Sequence, residues 1–468
     1  MSTQPDSVNT TTLLAYGLPG LPLAVLGLPL YVFLPAFYAQ AFGIGLATVG
    51  AVLLVARLFD VITDPLVGHL SDHTRSRFGR RKIWMLAGAP LLLIGVTFLF
   101  LPAGSPGTAY LLVFSLITYL GWTLVALPYT AWGAELSPDY HQRSRIAASR
   151  EGFVIAGTLL AAAAPVLLGH GEDTGATLAS LALWLWILIP ASLLLLLWRV
   201  REPERVRAPV AWSEGWRILL DNAPFKRLLL AYLLNGTANA LPATLFLLFV
   251  GHVLGAPEMA GLLLLLYFAA GVLSLPLWLR LARVTSKHRT WSLSMLWACA
   301  VFLWVPFLSE GQVWAFAVIC LLSGLSLGVD LALPSAIQAD VVDLDTANGG
   351  GERAGVFFGL WGMATKLALA LAVGIAFPLL QLAGFDAGAE NSASALMWLA
   401  LLYAGLPVLL KLAATALVWR FPIDAGAHAR LRDHLDTATE SHHEPIPSPS
   451  SPAAVPVGPV QRVRQHEA

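Results

Sequence analysis

Twelve apolar stretches, each long enough to cross a bilayer, run through this sequence: 13–42, 47–70, 83–103, 108–135, 146–168 and 177–198, then 225–254, 259–282, 290–308, 312–340, 354–383 and 394–419. A transmembrane helix needs roughly 20 mainly apolar residues, and hydrocarbon offers no partner for a free backbone N–H or C=O, so each stretch predicts one spanning helix. Only 12% of the 468 residues are charged, against roughly 25% in soluble domains. An all-α integral membrane protein follows. Its 28 basic and 28 acidic residues cancel, so no net field would draw nucleic acid, and the placement of charge matters more than its sum. Residues 1–12 hold no Lys or Arg and lead into an apolar stretch longer than a signal-peptide core, so the first helix is expected to stay uncleaved. Cys299 and Cys320 both lie within apolar stretches and read as small core residues, not as a disulfide or zinc ligands.

Basic residues set the orientation. They cluster after helix two (Arg75, Arg77, Arg80, Arg81, Lys82), four (Arg143, Arg145), six (Arg199 to Arg227) and eight (Arg280, Arg283, Lys287, Arg289), and the breaks after odd-numbered helices up to the eleventh hold none. Positive loops stay cytoplasmic, which places the even-numbered loops and both termini on that side. The chain then divides into a six-helix bundle at 1–198, a linker at 199–224, a second bundle at 225–420 and a Pro/Ser/His/Glu-rich tail at 421–468 expected to be disordered. The linker carries an amphipathic piece at 212–220 that would lie on the membrane surface. Two echoes tie the halves: DPLVGHLSD at 64–72 with LPLWLRLAR at 275–283, and ALPYTAWGA at 126–134 with ALPSAIQAD at 332–340. They pair helix two with eight and four with ten, as in transporters built from two similar halves around a mid-membrane site.

Helix two breaks the apolar rule. Arg57, Asp60 and Asp64 are spaced by three, four and seven residues, which puts them on one helical face. A charge at the helix centre costs about 2.5–3.5 kcal/mol on insertion scales, so that face must look onto protein, water or an ion. Two carboxylates with the hydroxyl of Thr63 or Thr123 would hold a hard cation such as Na+. A close carboxylate pair in a low-dielectric cavity holds a proton equally well. Lys366 in helix eleven, or Arg57, would neutralise the pair between loads. The plainer alternative is a static ion-pair network holding helix two against helix eleven.

Several of these pieces resemble one family: VARLFDVITDP at 55–65, SDHTRSRFGRRKIW at 71–84, RSRIAASR at 143–150, ADVVD at 339–343, and Lys366. The chain resembles, to about Arg420, the glycoside–pentoside–hexuronide:cation symporters (melibiose permease-like) of the major facilitator superfamily. The resemblance implies twelve transmembrane helices in two pseudo-symmetric six-helix bundles, cation coupling at Asp60 and Asp64, Thr123 as their polar neighbour and Lys366 beside them. It also implies a helix-five arginine at Arg150, with Arg145 as the alternative, and a cytoplasmic gating contact at Asp72 with the basic residues Arg75 and Arg77. The chain departs from the family pattern at Ala126, which replaces a third carboxylate, and at Thr63, which replaces an asparagine. It departs again at Thr130, in place of a tryptophan, and at Leu23 and Ala24, in place of the pair that meets galactoside hydroxyls. These departures argue against a galactoside, and the lost carboxylate tilts the ion toward H+.

Candidates facing a central cavity are Tyr31, Tyr38, Tyr129, Trp132, Asn235, Asn239, Gln338 and Trp361, since aromatic faces stack on sugar rings and amides bind hydroxyls. Asp330 in helix ten reads as a substitute carboxylate, a substrate contact or an internal partner of Lys366. Lys411 in helix twelve reads as snorkelling toward the cytoplasm. The expected function is secondary transport: symport of a small sugar-like solute with H+ or Na+ by alternating access in the cell (inner) membrane. The alternatives are an amphiphile such as a lysolipid, and proton-driven export. No nucleotide loop or metal cluster points to an enzyme. No cofactor is expected beyond the coupling ion, no metal beyond Na+ at Asp60 and Asp64, and the partners are the solute and the bilayer, with the chain a monomer.

Overall fold

The computed structural model describes residues 9–137, 140–171, 173–202, 222–345 and 354–422. The amphipathic linker piece and nearly all of the tail lie outside these. Among the described residues there is no strand. Twelve helical spans are long and apolar enough to cross a membrane: Thr10–Tyr31, Leu46–Ser71, Lys82–Phe100, Thr108–Gly133, Arg145–Leu167, Thr174–Arg199, Ala223–His252, Pro257–Val284, Lys287–Phe307, Val313–Asp345, Val356–Leu382 and Ala393–Val418.

Prolines shape these helices. Residues 13–42 predict one continuous helix, but the chain forms three pieces, Thr10–Gly17, Gly20–Tyr31 and Phe33–Phe42. A proline lacks the N–H for the carbonyl four residues back and crowds it. Pro22 and Pro35 stand four residues beyond Leu18 and Tyr31, where the two breaks fall. In the twelfth span Pro407 likewise cannot donate to Tyr403, and the backbone relaxes into a π turn over Leu401–Gly405. The repeat echo is visible in the same residues: Pro65 lies nineteen residues beyond Leu46, and Pro276 nineteen beyond Pro257.

The two ends of the bundle differ in kind. Each turn after an odd-numbered span, through the eleventh, holds a glycine with positive φ: Gly43, Gly104, Gly169, Gly255, Gly311 and Gly384, at 64° to 82°. Residues with a Cβ avoid that region, so these turns are tight and specified by sequence. They gather at one end, where Gly311 N–H donates to the Leu254 carbonyl at 3.0 Å. The opposite, basic end is tied by charge. Arg80 and Arg81 grip Glu135 at 2.7 and 2.8 Å, Arg81 N–H donates to Glu202 at 2.6 Å, and Lys287 pairs with Asp340 at 2.6 Å.

Lipid tails are as apolar as leucine, so close helix packing in a membrane rests on small residues that let backbones approach. Gly121 in the fourth span is pressed onto the third: a Cβ there would stand 2.5 Å from Leu92 N and 2.6 Å from Leu92 Cα. Those are backbone atoms of a helix and cannot step aside. Gly121→Val is therefore expected to destabilise the protein by about 1–3 kcal/mol, the usual cost of overpacking, seen as a lowered melting temperature of detergent-purified protein.

The two halves meet at the Gly-turn end. One apolar core joins Val49 and Leu53 of the second span, Val373 and Phe377 of the eleventh, Phe246 of the seventh and Leu263 of the eighth. A second core, with Phe225, Trp291, Val329, Phe357 and Val418, lies within the second half alone. Ala47 N–H donates across the halves to Gln381 at 2.8 Å, and a Cβ on Gly50 would stand 2.9 Å from Phe377 Cβ.

Candidate ion and solute site

Polar side chains that apolar spans would not otherwise tolerate converge at mid-membrane in two clusters, each thirteen to eighteen residues from the Gly-turn end of its span. The first bridges the halves. Asp60 and Asp64 project one turn apart from the second span, and Asp60 is 1% exposed. Thr123 of the fourth span sits between them, its Oγ1 at 2.6 Å from Asp60 Oδ1 and 2.9 Å from Asp64 Oδ1. Lys366 of the eleventh span closes the other side, its Nζ at 2.9 Å from Asp60 Oδ2 and 2.5 Å from Asp64 Oδ2.

Two consequences follow from this geometry. A hydroxyl has one proton, so Thr123 can donate to one carboxylate at a time, and the second short O···O contact calls for a proton on that other carboxylate. Lys366 Nζ, set against one oxygen of each carboxylate, ties the eleventh span to the second across the halves.

Thr63 is buried beside the pair, but its hydroxyl donates to the Asp60 carbonyl at 3.2 Å, the ordinary bond of a helical Thr to a preceding turn. It does not point its proton at the carboxylates. Arg57 does not join the pair either. Its guanidinium stacks over the Tyr119 ring, 4.3 Å from the centroid.

The second cluster lies within the second half and corrects three expectations. Asp330 does not meet Lys366. Its Oδ1 accepts from Asn235 Nδ2 at 2.9 Å and Trp291 Nε1 at 2.8 Å, and its Oδ2 from Asn239 Nδ2 at 2.9 Å. Lys411 is not a snorkelling residue: it is buried, 3.7 Å from Asp330 Oδ2, and donates to Asn235 Oδ1 at 2.8 Å. Asn235 and Asn239 do form an inward polar face, but it is spent on Asp330.

Most of the expected cavity aromatics are structural. Tyr129 is buried and donates to the Tyr16 carbonyl at 2.7 Å, riveting the fourth span to the first, and Tyr38 donates to the Leu99 carbonyl at 3.1 Å. Trp132 is fully buried near the basic end, with its Nε1 3.4 Å from the Arg201 carbonyl and Lys82 over its ring. Trp361 stacks on Tyr232 at 3.8 Å between centroids. Gln338 is fully buried, and its amide atoms find no partner among the described residues. Tyr31 is half-buried, and its hydroxyl makes no hydrogen bond among them.

Arg150 pairs with its neighbour Glu151 at 2.5 Å, far in sequence and partner from the carboxylate pair, and so is no part of its charge network. At the basic end Arg75 and Arg77 are exposed, Arg77 lying against Phe78. The side chain of Asp72 lies outside the described residues. The contacts there belong to Arg80, Arg81, Glu135, Ser71 and Glu202, with Arg81 Nη1 donating to Ser71 at 2.6 Å. A lone acid closing the apolar fourth span, Glu135, was the sequence signal for them. A cavity of about 70 Å³ at the Gly-turn end, lined by Phe33, Gln40 and Pro165, holds no charged side chain and is remote from both clusters.

Comparison with known proteins agrees with this architecture. Over residues 15–425 the chain matches the family model for "MFS/sugar transport protein". An uncharacterized symporter of Synechocystis is 26% identical, over 94% of this chain and 98% of its own length. The human sodium-dependent lysophosphatidylcholine symporter 1 is 25% identical, over 88% of this chain and 85% of its own. The glucuronide carrier protein homolog of Escherichia coli K12 is 24% identical, over 84% of this chain and 88% of its own. Among solved structures, that of a mutant of the nucleoside transporter NupG superposes with a TM-score of 0.64 at 15% identity, covering 87% of this chain and all of that one, a likeness of fold. A family match across so much of a twelve-span chain, with two charged clusters held at mid-membrane, makes the protein a membrane transporter and not an enzyme: it belongs to the MFS/sugar transport family of the major facilitator superfamily.

Proposed function

We propose that the chain is a cation-coupled symporter of a small solute, with Asp60, Asp64 and Thr123 binding one H+ or Na+ and Lys366 competing with that ion. The observation that carries this reading is the gathering of two carboxylates on one hydroxyl and one ammonium across the halves, an oxygen set that suits a proton or a hard monovalent cation. A monovalent cation placed there weakens the hold of both carboxylates on Lys366. Because Lys366 is in the eleventh span and the carboxylates in the second, the ion then biases how the two halves sit. That differential interaction is what coupling requires.

The basic end is the cytoplasmic one by its charge. The halves are packed together at the Gly-turn end, and among the described residues the hydrogen bonds and ion pairs across them lie there and at the carboxylate pair. This is an inward-facing arrangement. The solute is sugar-like in the first reading. An amphiphile is the second, favoured by the proline-broken first span, whose Leu23 and Ala24 bring no polar group to the cavity, and by the lysophosphatidylcholine symporter among the relatives.

The test is uptake into proteoliposomes under an imposed H+ or Na+ gradient, with glycosides, pentoses, hexuronates and lysolipids as solutes. Wild type is expected to accumulate a solute above equilibrium with one of the two ions. Asp64→Asn is expected to reduce accumulation to the equilibrium level and leave solute exchange intact. Accumulation that survives both Asp60→Asn and Asp64→Asn would show that the pair is structural.

A further inference from the structure

Arg57 is a guanidinium in the middle of a membrane span with no bonding partner among the described residues. Among the described residues none of its side-chain nitrogens makes a hydrogen bond or an ion pair, and none is sealed from accessible space. Its nearest carboxylate in sequence, Asp60, is already held by Thr123 and Lys366. A charge at this depth is costly unless something answers it, and among the described residues the contact that answers it is a ring: the guanidinium lies over Tyr119 at 4.3 Å. A ring contact of this kind takes up none of the guanidinium's five N–H donors in a conventional hydrogen bond. Those donors, set in a planar fork, are the part of arginine that grips a carboxylate or phosphate through two parallel hydrogen bonds.

The surroundings fit the same purpose. Arg57 and Tyr119 each lie eleven residues from the Gly-turn end of their spans, Tyr267 lies ten from the end of its own, and Tyr31 lies eleven before Phe42. The four residues therefore share one level, about a turn nearer the Gly-turn end than the ion pair. None of the three tyrosine hydroxyls hydrogen-bonds within the described residues, and none is sealed away. Three phenol groups and a guanidinium, none hydrogen-bonded among the described residues, thus lie at one level of the two bundles.

We infer that Arg57, braced on Tyr119 and flanked by Tyr31 and Tyr267, binds an anionic group of the transported solute, a carboxylate or a phosphate. This rests on the reading of the chain as a solute transporter but not on the identity of the coupling ion. The separation from Asp60 and Asp64 gives solute and ion neighbouring but distinct seats, the second span contributing to both.

The experiment is equilibrium binding to the purified full-length protein with two matched pairs of probes. Methyl β-glucuronide and methyl β-glucoside differ by a carboxylate on one ring; a lysophosphatidic acid and the monoacylglycerol of the same chain differ by a phosphate. One anionic member is expected to bind more tightly than its neutral twin, and which one identifies the source of the anion. Arg57→Gln is expected to weaken that anion about 10- to 100-fold, the range of charge-assisted bonds, and to leave the neutral twin unchanged. Arg57→Lys keeps the charge but not the fork and should fall between. Tyr119→Leu removes the brace, should weaken the anion several-fold, and serves if Arg57→Gln does not fold.

The inference is overturned if neither anion binds, if the neutral twins bind equally well, or if the anion preference survives loss of Arg57. Anion binding that depends on Arg57, in a protein that no ion gradient drives to accumulate solute, would overturn the coupling proposal and leave this one standing.

Discussion

Lys366→Met is expected to abolish ion-driven accumulation and to lower the melting temperature of the purified protein more than any single carboxylate-to-amide change in the same cluster. Among the described residues Lys366 Nζ is the cation bonded to Asp60 and Asp64, at 2.9 and 2.5 Å. Removing it leaves two carboxylates one turn apart around a single hydroxyl, in a site where Asp60 is almost wholly buried. Stripping one partner from a buried ion pair typically costs about 3–5 kcal/mol. Like charges so close do not both stay ionised, so a proton is taken up and held whether or not solute is present. Adding Asp60→Asn to Lys366→Met removes one of the stranded charges, and the double variant should recover much of the lost stability while still failing to accumulate. Thermal unfolding monitored by size-exclusion chromatography, beside proteoliposome uptake, separates the two effects. A Lys366→Met protein that is as stable as wild type and still concentrates solute would remove Lys366 from the coupling site.

The membrane fold was legible because hydrocarbon leaves a chain few options. Length and apolarity located all twelve spans, the charge-in-hydrocarbon logic picked out Asp60 and Asp64, and the family resemblance set Lys366 beside them, where the three do meet. Local geometry was less visible. The breaks in the first span depend on which carbonyl each of its prolines orphans, so Pro22 and Pro35 matter more than Pro19 and Pro29. Residue type alone misled where a polar group serves the backbone: Tyr129, Tyr38 and Thr63 turn their hydroxyls to carbonyls, a use no spacing rule reveals.

Lys411 was the clearest loss. A lone lysine in an apolar span invites a snorkelling reading, yet the cost of a charge in hydrocarbon argued equally for an internal partner, and that partner, Asp330, lies on a different span. Pairings between the tenth and twelfth spans carry no sequence signature, and Trp291, whose Nε1 also serves Asp330, carries none either. At the basic end the density of arginines drew attention to Arg75 and Arg77, which are exposed. Arg80 and Arg81, placed where the third span begins, could reach Glu135.

Asp330→Leu is expected to damage folding as severely as Lys366→Met, and the pair Asp330→Leu with Lys411→Met much less, for the opposite reason in charge. Asp330 accepts from Asn235, Asn239 and Trp291 at 2.8–2.9 Å and balances Lys411. Leucine at that position leaves three polar donors and an ammonium without their acceptor in a buried site, a change again of about 3–5 kcal/mol. Lys411→Met alone should cost less, because Asp330 keeps its three hydrogen bonds from neutral donors. The functional outcome should separate the two clusters. One carboxylate and one lysine cancel, every Asp330 oxygen is occupied, and no seat is left for an ion. Folded Lys411→Met protein should therefore accumulate solute with the same ion as wild type and the same steepness on ion concentration, measured as uptake across an ion titration. A change of ion preference or of that steepness would move Asp330 into the coupling machinery. Charge placement sorts the clusters: the one within the second half sets one carboxylate against one lysine, and the one across the halves sets two carboxylates against one lysine.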